Sequence, residues 1–152
     1  TPLYSSAASD VYKRQVVGYE RACALYKLTP MIYEAPSRID DAYAVTQRML
    51  DEHPGMTAVV SMHTNSSVGV VRAIQDRGLS IPQDFSLMSV VADRIAQLIS
   101  PPLTAVSLPA YLMGQRAAQM LIRMLHDIDY EPEQELLKPH LVIRDSTGQA
   151  RQ

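Results

Sequence analysis

Five polar residues in a row, His63-Thr64-Asn65-Ser66-Ser67, stand between an apolar run and a segment with helical spacing. At the end of a strand and the start of a helix, such a run gathers side-chain and backbone donors in one place. Donors grouped in this way can orient the hydroxyls of a sugar or hold an anion. The simpler alternative, that Thr64 to Ser67 only cap the helix, is left open by the sequence. Elsewhere the chemistry is thin. His53, His63, His126 and His140 are scattered and no HExxH or CxxC spacing occurs, so a metal site is not expected. There is no GxSxG turn, and six glycines leave no phosphate-cradling loop. Cys23 falls on the apolar side of a helix and reads as a small core residue. No catalytic residue and no cofactor are expected, and the chain does not read as an enzyme.

The elements that must position the polar run are legible on either side of it. TAVVSM (57–62) and SLMSVV (86–91) are short and rich in β-branched residues, as strands buried on both faces are. Between them Val68, Val71, Ala73 and Ile74, with Gly69, supply one apolar side against Arg72, Gln75, Asp76 and Arg77. Strand, helix and strand with short joins form a βαβ unit with parallel strands. Gly78 stops the helix and Pro82 prevents its resumption. Upstream, a helix is expected over 17–27 and a strand over 31–35. A second helix over 38–53, entered through Ser37 and Asp40, should bury Ile39, Tyr43, Val45 or Thr46, Met49 and Leu50. Downstream come a short turn after Val91, a strand at 103–108 and an amphipathic helix from Pro109 to about Ile128. The apolar face of that helix carries Met113, Ala117, Met120, Leu121, Met124 and Leu125. A last strand over 136–144 is interrupted by Pro139 and belongs at an edge or carries a bulge. Strands alternating with helices at this rhythm imply an α/β fold, a largely parallel sheet with helices on both faces.

With 152 residues, 47% of them apolar, one core is within reach. A net charge of −2 announces no basic surface for nucleic acid. The single cysteine excludes an intrachain disulfide framework and suits a reducing cytoplasm. No apolar run approaches the roughly 20 residues of a membrane span and no secretion signal is visible, so a cytoplasmic protein without membrane partners is expected.

A distributed pattern adds to this. From Met56 to Thr147 the chain carries, in order, a strand with a polar end, GVVRAIQDRGLSIPQDFSLMSV, PPLTAVSLPAYLMGQRAAQML and LKPHLVIRDST. In these motifs it resembles the LacI/GalR family of transcription regulators, specifically the C-terminal half of their effector-binding core. The resemblance implies a periplasmic-binding-protein-like type I fold, here truncated, in which two α/β subdomains clasp a small-molecule effector. Residues 16–152 would form a partial effector-binding domain, with the C-terminal subdomain over about 17–99 and 134–147. The crossover and a helix of the other subdomain would occupy about 100–130, leaving the apolar face of helix 110–128 without its sheet. Operator DNA would be bound only through an N-terminal helix-turn-helix outside this sequence. Residues 1–15 have no counterpart in the pattern and read as translated vector or adapter sequence, a native flexible tail being the alternative.

Residue by residue, the resemblance places ligand contacts at His63 and Thr64, with Asn65 beside them. Its second site element falls at Val90 and Val91, where the family usually presents an aromatic and a carboxylate. Asp93 stands one turn later, as a substitute contact or a helix cap. The family's site arginine would fall at Gln15, and Arg144 reads as a paired structural group. Homodimer contacts are implied on helix 66–78 and loop 94–102, with Val68, Ile95, Leu98 and Ile99 as apolar candidates. Two other functions stay open: a periplasmic-type sugar-binding protein of a transporter, and an assembly module without a competent site.

Overall fold

The computed structural model describes residues 6–150, with side chains from Tyr12 onward. The chain divides into two units between Glu34 and Ala35.

The first unit is dominated by helix α1, Ser6–Leu25. It was expected to begin near Val17, but no proline or glycine interrupts residues 6–17, and Ala, Lys, Arg and Gln there favour helix. Residues 6–15 are therefore helical rather than an unstructured tail, while residues 1–5 lie outside the described residues. The helix ends with Lys27 at φ 56, where the Leu28 amide donates to the Cys23 carbonyl at 2.8 Å. This is a Schellman closure with lysine in the place glycine usually takes. Cys23 is buried, and the Tyr19 hydroxyl accepts the Met31 amide at 3.2 Å. The strand expected over 31–35 does not form. A single extended segment without a bonded neighbour has nothing to make it a strand, and Met31 and Ile32 stay exposed.

The second unit contains α2 (Ile39–Glu52), β1 (Ala58–Ser61), α3 (Thr64–Asp76), β2 (Ser86–Ser89), α4 (Asp93–Leu98), β3 (Thr104–Ser107), α5 (Ala110–His126) and β4 (His140–Val142). The sheet order is β1-β2-β3-β4. The first three strands are parallel, as expected, and β1 pairs in register with β2 from Ala58↔Ser86 to Ser61↔Ser89. The fourth is the exception that a largely parallel sheet allows. β4 is an antiparallel edge strand against β3, with Val106↔Leu141. The chain leaves β3 along α5 and comes back through the irregular stretch 127–139, so it enters β4 where β3 ended. Pro139 directly before an edge strand fits the missing donor. Strand β3, placed by the resemblance in the crossover, is a member of this sheet.

The core sits where α3 covers β1 and β2 and α2 packs on α3. Ala42, Thr46, Met49 and Leu50 of α2 meet Val70, Val71, Ala73 and Ile74 of α3, all buried. Ile39, expected inside, is exposed because it stands at the first position of α2, and Tyr43 is half-buried with Arg72 stacked over its ring at 4.9 Å. The two helices touch at Gly69. A Cβ there would lie 2.4 Å from the Ile39 carbonyl oxygen and 2.9 Å from Ala42 Cβ and the Tyr43 nitrogen. Helix α3 ends as the sequence predicts, with Gly78 at φ 70. Its amide bonds to the Gln75 carbonyl at 2.8 Å, and that of Leu79 to Ile74 at 3.2 Å.

Burial along β2 alternates, so it is not enclosed on both faces as expected. Leu87 and Ser89 are buried while Ser86 and Met88 are half-buried. Helix α5 explains part of this, since it buries none of its residues: Tyr111 is 86% exposed and Leu125 76%. The segment after β4 joins the sheet instead. The Ser146 hydroxyl donates to the Leu87 carbonyl at 2.5 Å and accepts the Thr104 amide at 2.8 Å, and the Leu87 amide donates to the Ser146 carbonyl at 2.8 Å. One buried serine thus bridges β2 and β3.

Candidate functional site

Parallel pairing brings the carboxyl ends of β1 and β2 side by side, with Ser61 opposite Ser89. The Val90 amide donates to the Ser61 carbonyl at 2.9 Å and extends the register by one residue. Beyond this edge the chain turns through Met62 and His63 into α3, and through Val90 to Ala92 into α4. The polar run and the segment 90–93 therefore share one rim of the sheet. In an open parallel sheet this is the rim at which ligands are received.

His63 is the residue before α3, in extended conformation at φ −143, ψ 150, and its side chain makes no capping bond. The ring is exposed and the neighbouring Thr64 is half-buried. Among the described residues, neither the His63 ring nor the Thr64 hydroxyl is engaged by another side chain. Asn65 is exposed but tethered, its Nδ2 donating to the Ser37 carbonyl at 2.9 Å. Ser67 is fully buried and bonds downward into the sheet instead of to a free amide. The run therefore divides: His63 and Thr64 face outward, Asn65 braces the loop, and Ser67 belongs to the core.

Two of the expected contacts are otherwise engaged in this structure. Val91 is only 6% exposed, because side chains alternate along an extended segment and it falls on the same side as Leu87 and Ser89. Val90, half-buried, is the residue presented at the rim. Asp93 opens α4, where a helix N-terminus favours a carboxylate, and it is already partnered. Its Oδ1 takes Nη2 of Arg144 and its Oδ2 takes Nε2 of Gln97 at 2.8 Å. Arg144 also donates from Nη1 to the Leu103 carbonyl at 2.6 Å. As its position suggested, Arg144 is a paired structural group, and Asp93 serves that pair.

The apolar interface candidates are Val68, Ile95 and Ile99, all half-buried, and Leu98, which is 75% exposed. Among the described residues no cluster of three or more His, Cys, Asp or Glu is arranged to hold a metal, and no helix is long and apolar enough to cross a membrane. Among the described residues, depressions also lie away from the rim. One of about 510 Å³ sits at the amino ends of the strands between Leu50, Met56, Arg77 and Leu79, and one of about 280 Å³ lies between Arg116, Arg123 and Tyr130. Sequence reasoning missed Ser61 and Ser89 as partners of Ser67. The signal was a small hydroxyl residue near the end of each apolar run.

Comparison with known proteins gives this rim its setting. A domain model described as periplasmic binding protein-like matches residues 5–147, and the chain belongs to that family. Its curated relatives are transcription regulators. The HTH-type transcriptional repressor PurR of Vibrio atlanticus is 28% identical over 135 residues, which cover 87% of this chain and 40% of that protein. The HTH-type transcriptional regulator RegA of Clostridium saccharobutylicum is 29% identical over 134 residues, covering 86% and 40%. Among solved structures, the transcription regulator CcpA of Lactococcus lactis superposes with a TM-score of 0.81 at 28% identity, covering 90% of this chain and 51% of that one. A LacI family regulator from Arthrobacter, solved in complex with lactose, shares the fold with a TM-score of 0.77 at 22% identity, covering 85% and 49%. The chain thus spans about 40% of the length of the curated relatives it matches. The matched region includes residues 5–15, which the sequence reading had set aside.

Proposed function

We propose that this chain is part of the effector-binding core of a LacI-type transcription regulator. It would contribute one wall of a cleft that holds a small molecule and is coupled to DNA binding elsewhere in the regulator. The observation that carries this reading is the rim itself: His63 and Thr64 stand unengaged at the carboxyl edge of a parallel sheet, beside Val90. The regulators among its relatives support this reading over a transporter's binding protein. Coupling of this kind requires the effector to prefer one of two conformations. No catalytic step is proposed, and the regulator would act in the cytoplasm.

The rim also bears on which effector fits. The resemblance leads one to expect an aromatic and a carboxylate at 90 and 91, and this chain offers a half-buried and a buried valine. A vicinal hydroxyl pair placed there would lose its acceptor, at about 1–3 kcal/mol per unsatisfied group. We therefore favour a ligand with an apolar edge toward Val90 and polar atoms toward His63 and Thr64. Calorimetric titration of a full-length regulator carrying this segment, with ribose, lactose, a purine base and an aromatic acid, tests the reading. Binding of the base or aromatic acid that weakens at least tenfold in His63→Ala is expected. Tight binding of a plain hexose or pentose that survives His63→Ala refutes the preference.

Self-association is proposed through Val68, Ile95, Leu98 and Ile99, a patch that would meet its own copy about a two-fold axis. Sedimentation of Val68→Asp and Leu98→Asp variants should show monomers where the unaltered chain forms dimers. An unchanged sedimentation coefficient removes this interface.

A further inference from the structure

Beneath the polar run lie three buried hydroxyls drawn from three elements. Ser61 ends β1, Ser89 ends β2, and Ser67 lies in the first turn of α3; they are 5%, 0% and 0% exposed. Ser61 and Ser89 are register partners, so their side chains share a row, and Ser67 descends onto that row from the helix. Its Oγ lies 3.1 Å from Ser61 Oγ and 2.5 Å from Ser89 Oγ, and Ser89 Oγ reaches the Ser61 carbonyl at 3.2 Å. Two of the three hydroxyls share one acceptor. The His63 carbonyl accepts from Ser67 Oγ at 2.9 Å, from Ser61 Oγ at 3.3 Å and from the Ser67 amide at 2.9 Å.

An apolar core would close this space more cheaply than three hydroxyls, since each must find partners once removed from water. Here Ser61 and Ser67 meet a single backbone atom of the residue whose side chain faces outward, and Ser89 braces both through Ser67 Oγ and the Ser61 carbonyl. A carbonyl held by three donors fixes the peptide plane after His63, and with it the direction in which the imidazole leaves the backbone. Because Ser89 belongs to β2, the arrangement also ties the β1–α3 loop to the strand that leads into Val90.

We propose that Ser61, Ser67 and Ser89 are positioning residues that hold His63 at the rim of the sheet, and so set where a bound ligand meets its ring. The inference rests on the effector-site reading for its purpose. Its test needs no ligand, so a failure of small molecules to bind leaves it standing.

The test is amide hydrogen exchange of this chain, followed by NMR, together with the His63 ring signals. In Ser67→Ala and in Ser89→Ala, exchange at residue 67, Val68 and Val90 should accelerate about tenfold, the loss expected for one buried hydrogen bond. Ile74 and Leu87 should change less than about threefold, as they report the opening of the core. The His63 ring signals should shift or broaden in both variants. Ser146→Ala, a buried serine at the opposite end of β2, should leave the His63 signals in place. Uniform acceleration across the chain, unmoved His63 signals, or a failure of both rim variants to fold would each make the cluster an ordinary part of the core and overturn the proposal.

Discussion

Gly69 and Gly114 are both glycines inside helices, and the structure assigns their replacement by alanine opposite signs. Propensity alone favours alanine at each, by roughly 0.8–1 kcal/mol. At Gly69 the new Cβ would meet the Ile39 carbonyl oxygen at 2.4 Å, where ordinary contact begins at 3.4 Å, so α2 and α3 must separate by about 1 Å. The nearest atom is backbone, so no side chain can rotate out of the way. Overpacking of this kind costs about 1–3 kcal/mol, and a backbone obstacle puts the cost at the upper end. Subtracting the propensity gain leaves about 2 kcal/mol of net destabilisation. For a chain of this size that lowers Tm by roughly 4–8 °C. At Gly114 a Cβ meets nothing within 4 Å, and Gly114→Ala should be neutral or stabilising by up to about 1 kcal/mol. Urea and thermal unfolding followed by circular dichroism compare the two. A Gly69→Ala protein as stable as its parent would refute the close α2–α3 approach on which the fold of the second unit is argued.

Two helix ends give a second opposed pair. Gly78→Ala should cost about 1 kcal/mol at a left-handed position, whereas Lys27→Gly should gain a similar amount by relieving one; chemical denaturation measures both. Ser146→Ala leaves the Leu87 carbonyl and Thr104 amide short of a partner and should lower stability by about 1–3 kcal/mol, read from the urea midpoint at constant slope. Burial raises the Tyr19 pKa above the ordinary tyrosine value; the bond from the Met31 amide offsets part of the rise, and Cys23 adds to it. The protonated form is thus preferred when folded. Its contribution is complete below the ordinary tyrosine pKa and is lost as pH climbs through the higher folded value. A phenolate absorbance difference between the parent and Tyr19→Phe should therefore appear later than that of a free tyrosine.

The elements of the βαβ stretch were legible because each is punctuated locally. Gly78 and Pro82 bound one helix, two β-branched runs flank it, and Pro139 marks the edge position of the last strand, though not its antiparallel direction. What escaped the sequence depended on partners far along the chain. MIYEA has the composition of a strand but lacks a bonded neighbour, and Ile39 has the spacing of a core residue but stands at an exposed helix start. The inclusion of β3 in the sheet rests on Met88 meeting Thr104, which no local signal foretells. At the rim, His63 and Thr64 could be picked out because five polar residues between apolar segments are conspicuous. The inward turn of Val91 follows from strand alternation once the register is known. The pairing of Asp93 with Arg144, 51 positions away, is a tertiary fact.

The bridge made by Ser146 has a consequence for the order of events during synthesis. Residues 58–107 carry three strands and two helices, and a growing chain exposes them long before residue 146 is made. Until then the Leu87 and Thr104 groups that Ser146 will satisfy, 59 and 42 positions upstream, must be served by water. Contacts across such separations close slowly because the intervening loop has to be gathered first. The nascent sheet therefore waits, half-sealed, for the segment that follows β4. A ribosome that stalls between Val142 and Ser146, or a protease that clips there, would release a chain whose strands are all present but whose second and third remain unlatched.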